Sequence, residues 1–86
     1  MKFTVVWTPT ARRLVAQLWL SASDRNEVQR AADEIDRILA ADPPNAGESP
    51  VSNIRIIVEP PLAAYFDVHP MDQRVTVWRI WRIRGT

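Results

Sequence analysis

Apolar residues recur at helical spacing through the first half of this chain and alternate at strand spacing through the second. Ala11, Leu14, Val15 and Leu18 make one stripe, widened by Trp19 and Leu20, which predicts an amphipathic helix. Thr8 suits the N-cap, and Pro9 suits the first helical position, where the missing N–H would have been unpaired anyway. Residues 21–24, Ser-Ala-Ser-Asp, interrupt the stripe. Ser23 or Asp24 can cap a second helix, with Glu27 three residues after Asp24 in capping-box register. Val28, Ala31, Ala32, Ile35, Ile38 and Leu39 then carry the repeat towards Ala41. So short a connection predicts an antiparallel helix hairpin.

Residues 2–7, rich in β-branched and aromatic side chains, predict a strand ahead of the hairpin. Residues 42–50 contain Pro43, Pro44 and Pro50 with Gly47 and read as a loop. Three strands are predicted after it, at 53–58, 63–68 and 75–84. Pro60-Pro61 separates the first two of these, and residues 69–73 the last two. The order β-α-α-β-β-β predicts an α+β fold in which the helix hairpin covers one face of an antiparallel sheet. All 86 residues fit one domain, 1–86.

The last strand is the most informative segment. Regular alternation puts Val75, Val77, Arg79, Trp81 and Ile83 on one face and Thr76, Trp78, Ile80, Arg82 and Arg84 on the other. Neither face is cleanly polar, so the strand is expected inside the sheet. Its charges are all arginine, whereas Asp24, Glu27, Asp33, Glu34 and Asp36 crowd the second helix. The net charge of +1 therefore hides a local imbalance. An acid-free arginine set suits phosphate or a partner's carboxylates, which match the guanidinium fork.

Composition narrows the classes further. An apolar fraction of 47% argues against disorder. The absence of Cys removes disulfides and thiolate metal sites, and a lone His argues against zinc, so no cofactor is expected. No apolar run reaches the roughly 18–20 residues that span a bilayer, and no secretory leader opens the chain. The expected location is the cytoplasm.

With these elements on hand, the chain resembles the RelE/ParE-type toxins of bacterial type II toxin–antitoxin systems. The resemblance rests on Trp7-Thr8-Pro9-Thr10-Ala11 at the strand-to-helix junction, the helix hairpin, and Asp42-Pro43 opening a Gly-containing loop. Arg55-Ile56-Ile57-Val58, Tyr65-Phe66-Asp67-Val68 and Val75-Thr76-Val77-Trp78-Arg79-Ile80 continue it. It implies a growth-inhibiting toxin neutralised by a cognate antitoxin. The target is implied to be either mRNA, cleaved on the ribosome, or a protein such as DNA gyrase; an inactive member acting only as a binding module is the alternative. RelE-like nucleases usually carry an Arg three residues before an aromatic in the third strand. Phe66 fits the aromatic, but Ala63 or Ala64 stands at the Arg position. The C-terminal segment that often supplies a catalytic Tyr has no counterpart before Thr86.

RNA cleavage needs a base for the 2′-hydroxyl, positive charge on the phosphate and an acid for the leaving oxygen. Arg55, Arg82 and Arg84 are the candidate phosphate clamp, and Glu59 and His69 the candidate base and acid. A solvated strand end competes as an account of Glu59, and an exposed turn as an account of His69. Arg79, on the opposite face by alternation, is expected to pair with an acid of the second helix. Tyr65 is expected to pack, and Trp7 and Trp19 to lie in or near the core. Arg12 and Arg13 read as a solvated face. If the helices cover the Val75 and Val77 side, Trp78, Ile80 and Arg82 form an uncovered patch for the antitoxin.

Overall fold

The computed structural model describes residues 2–41 and 54–83, and residues 48–51 by their backbone. In chain order the elements are β1 (Thr4–Trp7), α1 (Pro9–Ser21), α2 (Arg25–Ala41), β2 (Glu48–Val51), β3 (Ile54–Glu59), β4 (Leu62–His69), a 3-10 turn (Pro70–Asp72) and β5 (Arg74–Arg82). The strands form one five-stranded sheet in the order β1-β5-β4-β3-β2. The three pairs from β2 to β5 are antiparallel, as successive strands with short connections should be. β1 joins parallel to β5, so the sheet is mixed. The helix hairpin and three later strands intervene between these two, ample for the long crossover that a parallel pair requires.

The hairpin covers one sheet face, as its periodicity demands. Ala11 of α1 and Val28, Ala31, Ile35 and Leu39 of α2 are fully buried against Leu62, Ala64, Phe66, Val75 and Val77. Thr8 caps α1 as predicted, its hydroxyl oxygen accepting the Ala11 N–H at 3.1 Å.

Three differences from the sequence reading matter. First, residues 48–51 form a strand where a loop was expected, at the sheet edge, where a Pro is tolerated. Residues 42–47 of that predicted loop lie outside the described residues. Second, β5 does not alternate regularly. Tyr65 stands across from Arg79 and its neighbour Phe66 across from Val77, leaving Trp78 as an extra residue. That is a β-bulge, and it reverses the phase of every later side chain. The Trp78 carbonyl, displaced from the ladder, accepts the Thr8 hydroxyl at 3.2 Å, while the Thr8 N–H donates to Val77 O at 3.0 Å. The same threonine thus caps the helix and fixes the bulge.

Third, and as a consequence, Ile80 is not part of an uncovered patch. It is 1% exposed and belongs to the core beneath the helices, because the bulge turns it inwards. Arg79 lies on the side away from the helices and so does not pair with α2. Trp19, expected in or near the core, is 38% exposed.

Arginines fasten the two helices to each other and to the sheet. Arg25 donates through Nε to Trp19 O and through Nη2 to Leu20 O, each at 3.0 Å, and lies 4.6 Å from the Trp19 ring centroid. These bonds cap carbonyls at the end of α1, where Trp19 O also accepts the Ala22 N–H at 3.3 Å. Arg30 reaches Pro60 O at 2.8 Å, at the turn between β3 and β4.

Candidate functional site

The sheet has two unlike faces. Cross-strand partners in a sheet share a face, so the register sorts the side chains. Residues across from or alternating with the core positions Phe66, Ala64, Val75 and Val77 face the helices. Among the described residues no α-helix lies over the other face. It carries Ile54, Ile56 and Val58 from β3, then Ala63, Tyr65, Asp67 and His69 from β4. Arg74, Thr76, Arg79 and Trp81 follow on β5, with Thr4 and Val6 at the β1 edge.

Near its centre this open face holds an arginine beside two aromatic rings. Tyr65 and Trp81 are tilted at 45° with ring centroids 4.8 Å apart, within the range of favourable aromatic pairs. Both are half-buried. Arg79, directly across the strand pair from Tyr65, is exposed and has no ion pair or hydrogen bond among the described residues. A guanidinium next to aromatic faces with no carboxylate to occupy it is available to a phosphate or a stacked base.

At the far end of the same face lies an imidazole with a fixed partner. His69 Nε2 is 3.0 Å from Asp67 Oδ1. The two are two residues apart on β4, which puts both side chains on one side of the strand. Arg74 stands across from His69 and makes a longer 3.8 Å contact with Asp72.

The four described catalytic candidates, Arg55, Glu59, His69 and Arg82, do not share one face. His69 alone among those described belongs to the open face. Arg82 is turned towards the helices by the bulge and forms a two-pronged bond to Asp24, at 2.9 Å from Nη1 and 2.7 Å from Nη2. Those hydrogen bonds hold the Asp24 carboxyl below the usual carboxylate range and push the Arg82 guanidinium higher still. Glu59 meets Arg30 at 3.5 Å. Arg55 stands across from Phe66, on the helix-covered side. Arg84 lies outside the described residues. Of the antitoxin-binding candidates, Trp78 is half exposed, Ile80 is buried and Arg82 is engaged with Asp24. Sequence reading therefore missed Arg79, the Tyr65–Trp81 pair and Asp67 as members of one surface. The Asp67–His69 spacing was a usable signal, since residues i and i+2 of a strand share a face.

A second feature lies on the helix side. Between α1 and α2 runs a groove of about 1110 Å³, lined by Val15, Ala16, Trp19, Val28 and Ala32 and reaching Trp7. Trp7 donates through Nε1 to Asp36 at 3.0 Å. Arg12, Asp33 and Arg37 also line this groove. Arg37 is paired with Glu34, which lowers that carboxyl below its usual range.

The fold defined by these elements is α+β: a two-helix hairpin laid on one face of a mixed sheet. It is the fold of RelE/ParE-type toxins. A chain of the crystal structure of the toxin–antitoxin complex RelBE2 from Mycobacterium tuberculosis has a TM-score of 0.78 at 15% sequence identity, covering 95% of this chain and 92% of that one. A chain of the chromosomal ParDE system from P. aeruginosa gives 0.67 at 18% identity, over 96% and 98% of the two chains. At such identities the likeness is one of fold. No family model matches the sequence, and no curated protein matches it.

Proposed function

We propose that this chain is the toxin of a type II toxin–antitoxin pair, and that its open sheet face binds mRNA and promotes its cleavage on the ribosome, in the cytoplasm. The observation that carries this reading is the unpaired Arg79 set against the Tyr65–Trp81 pair on the open face. Phosphoryl transfer in RNA chiefly asks for positive charge at the phosphate and a held substrate. Arg79 and the aromatic pair hold a backbone phosphate and an unstacked base. His69, four residues beyond Tyr65 along β4 and across from Arg74, supplies a proton-transfer group at the other end of the same face. Of the described arginines expected to clamp phosphate, Arg82 is held by Asp24 and Arg55 lies on the helix-covered side, which leaves Arg79 as the exposed arginine near the centre of the open face.

Neutralisation by an antitoxin is assigned to the groove between α1 and α2. Its apolar walls and charged rim suit the apolar stripe of an amphipathic helix. Trp78, half exposed beside the start of α1, extends the surface available to the same partner.

A specific observation favours a second reading. Ile54, Val58 and Val6, on the same open face, are 41%, 54% and 38% exposed. Apolar residues of this kind suit a protein target, such as DNA gyrase, better than RNA.

Expression from a tightly repressed promoter separates the two. Growth arrest with new 5′ ends inside translated messages supports cleavage. Arrest without such ends favours the protein target. Soluble protein with no arrest contradicts the toxin assignment.

A further inference from the structure

We propose that Asp67 is a positioning residue that fixes the tautomer and orientation of His69, making His69 Nδ1 the proton acceptor for the 2′-hydroxyl of a bound RNA. The inference rests on the RNA-cleavage reading and deepens it.

The geometry is specific. The Asp67 carboxylate lies 3.0 Å from Nε2, and its side chain is 16% exposed against 39% for the His69 side chain. A carboxylate can only accept, so Nε2 carries the proton and Nδ1 keeps its lone pair. A ring held this way keeps Nδ1 as the basic nitrogen without first having to change tautomer, the arrangement by which a carboxylate directs a catalytic imidazole. Asp67 stands across from Thr76 and Ile54, neither of them a cation that would draw its charge away. The cation across from His69 is Arg74, whose exposed 3.8 Å contact with Asp72 is a long one that a phosphate can displace.

The step balances. His69 Nδ1 takes the 2′-hydroxyl proton as the 2′-oxygen–phosphorus bond forms. The phosphorus–5′-oxygen bond breaks, and solvent water protonates the departing 5′-oxygen. The products are a 2′,3′-cyclic phosphate and a free 5′-hydroxyl. Asp67 keeps accepting the Nε2–H bond and steadies the imidazolium, which then returns its proton to the hydroxide left in solvent.

The test compares the wild type, Asp67→Ala, His69→Ala and the double variant, using the full chain on programmed ribosomes. His69→Ala is expected to slow cleavage by about 10²-fold, the ordinary contribution of a positioned base, and Asp67→Ala by about tenfold. Because Asp67 acts through His69, the double variant should be no slower than His69→Ala alone. A purely structural role for Asp67 would instead make the losses multiply, and unchanged cleavage in Asp67→Ala would overturn the proposal. Imidazole nitrogen-15 shifts provide a readout independent of activity. The wild type should show the Nε2–H form of His69, and Asp67→Ala a mixture; equal mixtures in both would also overturn the proposal. If the wild type cleaves no RNA while His69 holds the Nε2–H form, the cleavage reading is what fails, and the assigned role of the pair fails with it.

Discussion

The two faces of this sheet use the same residue types to different ends. On the helix-covered side, Arg82 grips Asp24, Arg30 grips Glu59 and the Pro60 carbonyl, and Trp7 bonds to Asp36. On the open side, Arg79 has no ion-pair partner among the described residues and stands beside two aromatic rings, with a histidine held by Asp67 further along the face. Arg79 and Arg82 are three residues apart on one strand, yet one is free and the other is held. A charge satisfied within the chain fastens an element in place; a charge left unsatisfied on a half-apolar surface is available to a partner. Residue type alone does not distinguish the two.

Inserting one alanine between Arg79 and Ile80 should break the contrast most severely. The extra residue reverses the phase beyond it, turning Ile80 into solvent, Trp81 beneath the helices and Arg82 away from Asp24. Losing the Ile80 burial and the Asp24 bond together threatens a domain whose whole stability is of the order of 5–15 kcal/mol. Near-UV circular dichroism and urea titration should find no cooperative native state. Next in size is Ile80→Ala. A buried isoleucine truncated to alanine costs about 2–5 kcal/mol, whereas an exposed one costs little. Denaturant titration reads the difference directly.

Ala16→Arg sharpens the comparison from the helix side. Ala16 is exposed and lines the groove, so a long side chain there obstructs docking while retaining good helix propensity. Affinity for the antitoxin, measured by calorimetry, should fall about tenfold, close to 1.4 kcal/mol, with folding unaffected.

The smallest effect concerns the Arg82–Asp24 pair. Hydrogen bonds from Arg82 depress the folded-state pKa of Asp24. The pair therefore adds stability at pH values above the unfolded aspartate's pKa, and that contribution disappears as pH falls through the lower folded value. The exposed setting and salt screening keep it small. Asp24→Asn should lower stability slightly at neutral pH and leave it nearly unchanged at the acid end, where the pair is already lost, so the acid-side slope flattens.

Element order was legible in the sequence because its signals are local. Thr8-Pro9 opens α1, the stripes from Ala11 and from Val28 give two helices, and β-branched runs bounded by proline give the later strands. β2 was not legible, since Glu48-Ser49-Pro50-Val51 has neither alternation nor β-branched density. The allocation of β5 residues to faces was not legible either. Val77 and Ile80 are both core, and a spacing of three within a strand is the mark of a bulge. Trp78 and Trp81 between and beyond them masked it by making every phase equally apolar. The Arg82–Asp24 bond joins residues 58 apart and depends on how the hairpin folds back over the sheet. The site was accordingly half visible: the arginines and His69 stood out, and their sorting into structural and available groups awaited the bulge.

The central claim is that Arg79 on the open face, and not Arg82 on the covered one, carries the toxic activity. Wild type, Arg79→Ala and Arg82→Ala should be induced side by side, at matched soluble levels, while growth is followed. The account predicts arrest by the wild type and by Arg82→Ala, with growth restored in Arg79→Ala. Arrest by Arg79→Ala together with growth in Arg82→Ala would contradict it.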